Sequence, residues 1–521
     1  MTAGSIRRFT FPLVYGALAC AVFAAAPPKK EEVEDPNAPV SYFKKIRPIF
    51  QAQCQGCHQP AKAKGEYVMT DFAKLLEGGE SVKDGEHAIV PHDPEHSLLV
   101  KQITPDKETG EADMPKKKQP LPAEQIALVR RWVSEGAVDD TPPNAKQRYD
   151  LDHPPVYQRA PVVTSLAFSP DGSLLAVAGF HEVLLWKGDG SELVARLIGL
   201  SERIQTVRFS PDGKRLAACG GRPAQMGEVQ IWDVEKRKLI ISAPIGFDTV
   251  YGASWSPDGK IVSFGCPDNA VRAIDTATGA QVLQQTSHTD WVLDTVFTHK
   301  GDQLVSVGRD MSTKLTEVAT QRFIDNISSI TPGALRGGLQ TVARHPQRDE
   351  FLLGGADGVP QAYRIVRKVQ RRIGDNALCI RKWPAMDGRI YGIAFAPDGQ
   401  KFAAVSSLDG KGAVNFYNYD FNTEMPADIL AIEGKAARSE EEKKTLEAHY
   451  TSDVKLLASA ALDTGIFALA YRPDGSSVAV AGEDGKVRFF TAADAKIAKE
   501  FIPVPLTAAQ AQKPTAQVET K

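Results

Sequence analysis

TSLAFSPDGSLLAVAG, residues 164–179, decides the fold of most of this chain. An alternating run leads into Ser-Pro-Asp-Gly, a small apolar run follows, and a glycine closes the unit. Pro presets one turn residue, and Asp and Gly accept the remaining conformations of a hairpin corner, so two short strands are joined by a tight turn. The phrase returns as QTVRFSPDGKRLAACG (205–220), YGASWSPDGKIVSFG (251–265), YGIAFAPDGQKFAAV (391–405) and FALAYRPDGSSVAVAG (467–482). Weaker copies are DTVFTHKGDQLVSVG (294–308) and QTVARHPQRDEFLLGG (340–355). A third strand carrying aromatics follows, and the spacing leaves room for four short strands per unit. Such units bury their faces only against neighbours, so the ring must close to be stable. Five clear copies and two degraded ones predict an all-β, seven-bladed β-propeller over residues 162–504. EGKAARSEEEKKTLEAHY (433–450), rich in Glu and Lys, predicts a surface helix inserted between blades near 421–460.

The chain has 521 residues, enough for two or more domains. Hydrophobic residues make up 42% and charged residues 24%, as in an ordinary soluble globular protein. A formal net charge of −2 supplies no whole-chain field and does not imply a nucleic-acid partner. Residues 1–26 have the order of an export signal: Arg7 and Arg8, an apolar stretch from Phe9 to Phe23, then Ala24-Ala25-Ala26. Ala17-Leu18-Ala19-Cys20 resembles a loose lipobox, which would lipidate Cys20 and tether the chain to a membrane. The expected location is therefore the periplasm or cell envelope. Residues 27–40 and 141–161 are expected to be linkers, 41–140 a small all-α domain, and 505–521 a disordered tail.

Within that small segment, SYFKKIRPIFQAQC repeats Phe43, Ile46, Ile49 and Phe50 at helical spacing, with Pro48 arguing for a kink or a late start. LPAEQIALVRRWVSEGA forms a second helix, with Pro122 in its first turn, Ile126, Val129 and Val133 in one stripe, and Gly136 as its stop. Leu121 stands where Ser or Thr would cap best.

Between the helices, Cys54-Gln55-Gly56-Cys57-His58 admits three chemistries: half of a zinc site, a redox pair, or covalent haem attachment. Zinc needs four ligands, and no second cysteine pair exists; His87, His92 and His96 match no zinc spacing. A thioredoxin-type pair needs a βαβ context that a helical segment does not offer. Haem attachment alone uses the fifth residue: two thiols add to the vinyl groups of one porphyrin edge, and the adjacent imidazole lies under the iron. The expected sixth ligand is Met114, on a loop stiffened by Pro115. The competitors are Met69, in an apolar run, any of the three histidines, or an open site.

The stretch from Ile46 to Gly136 resembles the planctomycete-type cytochrome c domain, on QCQGCH, IVPHDPEHSLLVKQI (89–103), Met114-Pro115 and LPAEQIALVRRWVSEGA. That resemblance implies one covalent haem c on Cys54 and Cys57, with His58 and Met114 as axial ligands of the iron. Histidines at 92 and 96 depart from its pattern. The later repeats resemble the WD-repeat family, although only Trp232-Asp233 keeps the signature dipeptide and the Gly-His dipeptide is missing. Together they imply an exported electron carrier whose propeller is a platform for docking a partner protein. Lys116-Lys117-Lys118 would steer an acidic docking face of that redox partner.

Two other functions stay open on the sequence. A periplasmic oxidoreductase would carry a catalytic centre in the propeller, but His181, His288, His299, His345 and His449 form no repeated set. A structural scaffold of the envelope would leave the haem incidental. No catalytic motif is present, so a carrier is expected in preference to an enzyme. Cys219, Cys266 and Cys379 are far apart in different repeat units; Cys219 and Cys266 sit beside glycines in apolar runs and are expected to be buried small hydrophobes.

Overall fold

The computed structural model describes residues 38–55, 57–59, 62–116, 119–141, 149–150, 153–329, 335–372 and 375–507. The expected export signal and Cys20 lie outside these residues, as do Lys117, Lys118 and most of the expected tail.

The N-terminal segment begins with a π-helical turn, Tyr42–Ile46, capped by the Ser41 side chain, and runs directly into α1, Arg47–Gln53. Pro48 sits in the first turn of α1, where its missing N–H costs nothing, so the break falls where the proline predicts. Tyr42 rather than Phe43 turns inward. Helices α2 (Phe72–Glu77), α3 (Leu98–Ile103) and α4 (Ala123–Ser134) follow, joined by irregular chain. Pro122 occupies the cap position of α4 without a side-chain hydrogen bond, and Gly136, at φ +103°, ends it. The segment departs from the all-α expectation in one place: His58–Gln59 pairs antiparallel with Lys62–Ala63.

One apolar core joins Ile46, Phe50, Leu75, Val100, Val129 and Trp132. The Trp132 ring stacks on Tyr42 at 5.4 Å and meets Phe50 and Phe72 edge-on at 6.1 and 6.3 Å. Helices of six or seven residues are too short to hold themselves, so packing on this aromatic centre stabilises them.

From Leu166 onward every sheet is an antiparallel meander. Five sheets have four strands each, and one has seven. In the seven-stranded sheet, Leu193–Phe209 pairs with Phe180–Lys187 through its first half and with Arg215–Arg222 through its second. The inner strands are Leu166–Phe168, the second half of Leu193–Phe209, Tyr251–Trp255, Val292–Phe297, Leu339–Arg344, Arg389–Phe395 and Ile466–Tyr471, each packed on the next.

The run of sheets closes on itself. Val163 donates to Gly482 O at 3.0 Å, the Trp186 indole donates to Pro503 O at 3.1 Å, and Phe168 stacks on Phe489 at 6.2 Å.

The Pro-Asp-Gly turns act as anticipated. Asp171 Oδ1 accepts from Ser173 N at 3.1 Å while Gly172 takes φ +71°, and Asp212 with Gly213 repeats the arrangement. A Cβ on Gly213 would lie 3.3 Å from Pro170 of the preceding turn, and one on Gly172 would lie 3.6 Å from Pro473. Each turn thus leans on its neighbour, and the last leans on the first.

The inserted segment forms two helices, α5 (Ala427–Glu433) and α6 (Glu440–Tyr450), where one was expected. They lie inside a sheet, between its strands Lys411–Asn418 and Leu456–Leu462, and not between sheets. Ile429, Leu446 and Tyr450 pack against Tyr363, Leu378 and Cys379 of the preceding sheet, so the insertion bridges two sheets.

Candidate functional site

Cys54 ends α1, its N–H donating to Phe50 O at 2.9 Å. A tight turn follows: Cys57 N and His58 N both donate to Cys54 O, at 3.1 and 3.2 Å. This turn brings both thiols and the imidazole to one end of α1. Cys54 and Cys57 are half-buried thiols, and Cys54 packs on the segment's core.

His58 is also half-buried and is held from two sides. Its carbonyl accepts from Met69 N at 2.8 Å, and its ring meets the Tyr67 ring edge-on at 5.6 Å. The Tyr67 hydroxyl is tied to Leu75 O at 3.0 Å, which fixes that aromatic wall. Burial lowers the His58 pKa, with the Lys64 and Tyr67 backbone pulling weakly the other way, so the ring is neutral at pH 7. Among the described residues its Nδ1 is buried without a hydrogen-bond partner.

Met114 is half-buried against the same core, and its N–H donates to Gln102 O at 2.9 Å. Met69 is fully buried core, as an apolar run predicts, and the Gln55 side chain donates to its carbonyl at 2.9 Å. The three competing histidines are exposed. His92 Nδ1 lies 3.2 Å from Ser134 O, and His96 Nδ1 lies 2.7 Å from Asp93 Oδ2. Among the described residues no group of three or more His, Cys, Asp or Glu could hold a metal ion. Sequence reasoning missed Tyr67, which stands in no periodic element, and Trp132, which its spacing of three residues from Val129 could have placed on the buried face of α4.

The propeller histidines are engaged in turns and packing. His299 Nε2 lies 3.0 Å from His345 O, and the His345 ring accepts from Gln347 N at 3.0 Å. His449 meets the Arg381 guanidinium at 3.2 Å, and the His181 ring packs on Tyr149 at 4.7 Å. His288 is different: its Nδ1 lies 2.9 Å from Asp310 Oδ2 and its Nε2 lies 2.8 Å from Ser306 Oγ. That order resembles a hydrolytic triad. Ser306 is 1% exposed and His288 4%, however, so no substrate reaches the hydroxyl, and the array is a structural clasp. Cys219 and Cys266 are buried as expected, Cys379 is buried as well, and burial raises all three thiols, Cys266 to about 11.

Comparison with known proteins fits this division. Residues 54–118 match the family described as Planctomycete cytochrome C, and residues 153–184 and 440–491 match the WD domain, G-beta repeat. Coronin-7 of Mus musculus is 30% identical over 194 residues, covering 33% of this chain and 20% of that protein. Cilia- and flagella-associated protein 52 of Chlamydomonas reinhardtii is 24% identical over 362 residues, covering 64% and 55%. WD repeat-containing protein 26 homolog of Arabidopsis thaliana is 24% identical over 202 residues, covering 38% and 34%. The chain therefore spans between about a fifth and about half of the length of these relatives. The fold agrees with these matches: a segment similar to the planctomycete cytochrome C family precedes sheets similar to WD-type repeats.

Proposed function

We propose that this protein is an exported c-type cytochrome that carries one haem c and passes electrons to a partner protein docked on its propeller. In this reading Cys54 and Cys57 hold the haem through thioethers, and His58 and Met114 are the axial ligands. The observation that carries it is the pentapeptide Cys54–His58 at the end of α1, inside the stretch that matches the cytochrome C family.

The residues fit the group. Two half-exposed thiols face one turn, and a neutral imidazole beside them is the form that ligates. A buried ring nitrogen without a partner costs about 1–3 kcal/mol, a cost that ligation or a donor would relieve. Tyr67 orients the imidazole, and the core supports Met114 from one side. When bound, haem c supplies a one-electron couple, and a methionine ligand raises its potential.

The propeller reads as seven blades when the seven-stranded sheet is divided at Leu193–Phe209, whose two halves pair with different neighbours. WD-type repeats are suited to protein–protein contact, which supports a docking role. Lys116-Lys117-Lys118 would attract an acidic face of the redox partner, and replacing the three should slow its reduction and flatten the salt dependence. The periplasm or cell envelope is the proposed location, with membrane attachment through Cys20 if it is lipidated.

The test is a reduced-minus-oxidised spectrum of the full-length protein after acid–acetone extraction. A c-type spectrum that survives extraction is expected, and its absence ends the reading. In Met114→Ala the haem should stay attached and its potential should fall; an unchanged potential removes Met114 as the ligand.

A further inference from the structure

The innermost strands of the propeller break register at one repeated place. Six of the seven skip one residue after their first or second pairing: Gln205, Gly252, Leu293, Gln340, Tyr391 and Phe467. A bulge leaves the skipped residue out of the ladder and re-aims its side chain. All six line one axial cavity of about 390 Å³. That size falls among small-molecule sites, which run from about 300 to 1,000 Å³.

The lining is uneven around the axis. Tyr391 and Phe467 form an aromatic wall, ring edge to ring face at 5.0 Å. Gln205 and Gln340 bring amides that have no side-chain hydrogen bond among the described residues. Arg208 lines the cavity as well, and its guanidinium donates through Nη1 alone, to Val207 O at 2.9 Å and Ser165 Oγ at 3.4 Å.

Asp294, also in the lining, does not pair with it. Its oxygens accept from Thr295 N at 2.9 Å, Val342 N at 3.0 Å and Thr341 Oγ1 at 3.3 Å. Burial pushes the Asp294 carboxyl up, with the Arg208 charge partly opposing. Among the described residues Arg208 makes no direct ion pair, although Asp294 shares its cavity, and two amides without side-chain partners and an aromatic wall stand beside it.

We infer that the axial cavity is a binding site for a small organic anion with a flat apolar body. The anionic group lies against Arg208 and Gln205, and the body packs on Tyr391 and Phe467. The aromatic wall favours an aryl carboxylate over a compact inorganic ion, because a phosphate-sized ion would leave it uncovered.

Calorimetric titration of the full-length protein with benzoate tests this, with benzamide as the uncharged isostere. Saturable binding of one benzoate per chain is expected, with benzamide weaker by about tenfold, as loss of a charge-assisted hydrogen bond implies. Arg208→Gln should weaken benzoate by about tenfold or more. Gln205→Leu, at an unpaired bulge residue that leaves the ladder intact, should weaken it several-fold, and Phe467→Ala should also weaken it. No saturable binding at about 10 mM benzoate, a concentration that detects even millimolar affinity, overturns the assignment. Equal affinity in Gln205→Leu and Phe467→Ala overturns it too, as does equal affinity for benzamide, because binding would then lie elsewhere.

Discussion

Asp310→Ala separates a structural clasp from a catalytic triad. The Asp310 carboxylate accepts from His288 Nδ1 at 2.9 Å, Ser312 Oγ at 2.8 Å, Thr289 N at 3.0 Å and Ser312 N at 3.2 Å. Its side chain is 4% exposed and that of His288 0%, so water does not replace the lost acceptor for the imidazole. Thr289 is exposed, and its N–H rehydrates. Three buried groups, His288 Nδ1, Ser312 Oγ and Ser312 N, lose that acceptor at about 1–3 kcal/mol each, and the 3.3 Å contact between the first two offsets about one of these losses. Removing one partner of a buried pair costs about 3–5 kcal/mol, so the two routes agree near 3–4 kcal/mol.

At about 2 °C per kcal/mol for a domain of this size, the propeller transition should fall by about 6–8 °C, read by far-UV circular dichroism. Asp310→Asn keeps one acceptor oxygen and should lose about half as much. The haem spectrum should not change in either variant. A loss under about 1 kcal/mol would show that the clasp holds nothing. Covalent labelling of Ser306 by a fluorophosphonate in the native protein, abolished in Asp310→Ala, would overturn the structural assignment outright.

Acid should erase the same contribution. Burial raises the Asp310 carboxyl, but the bonds from His288, Thr289 and Ser312 outweigh it and hold the group below the usual carboxylate range. Its stabilisation is therefore present above the unfolded-state value and lost as pH falls through the folded one, so the gap between wild type and Asp310→Asn should narrow toward about pH 3. Trp132→Ala removes the ring around which Tyr42, Phe50 and Phe72 pack, and should cost the N-terminal segment about 3–5 kcal/mol. Hydrogen exchange should report that loss in α1 and α4 and leave the propeller strands unaffected. Cys54→Ser combined with Cys57→Ser should abolish covalent haem and make residues 41–140 more sensitive to limited proteolysis, because helices this short rely on what they pack against. Equal resistance would show that the segment is complete without a bound group.

Local constraints were legible in the sequence, and distant ones were not. Pro170-Asp171-Gly172 announces its turn because Asp171 accepts from Ser169 Oγ and Ser173 N on either side while Gly172 takes the positive φ, and the turn recurs where the motif does. Pro48 marked the start of α1 for the same reason. Periodicity failed where two neighbours were equally apolar: Phe43 fits the helical stripe, but the π-helical turn rotates Tyr42 toward Trp132 instead. The insertion was visible as charge and length. Its position inside a sheet was not, because Lys411–Asn418 and Leu456–Leu462 pair across thirty-odd residues of intervening chain. His288 and Asp310 meet across 22 residues with no motif between them. The candidate haem residues lay in one pentapeptide, whereas the wall that holds His58 comes from Tyr67 and Leu75, which only the packing brings together.

The same distinction explains why the axial cavity could not be anticipated. A turn residue answers to the turn, so Pro, Asp and Gly repeat. A bulged residue answers to nothing in its own strand: its side chain leaves the ladder and points at whatever fills the axis. The backbone thus repeats the bulge around the ring while leaving its residue type unconstrained, and the six positions hold Gln, Gly, Leu, Gln, Tyr and Phe. A channel that only closed the ring would be served by small apolar residues at every one. Polar side chains without partners cost nothing there only if water or a ligand satisfies them, and the aromatic wall beside them is poorly served by water alone. Different chemistry at geometrically equivalent positions is therefore the sign by which a repeated scaffold can be searched for a site, and here it points to Arg208 and its neighbours.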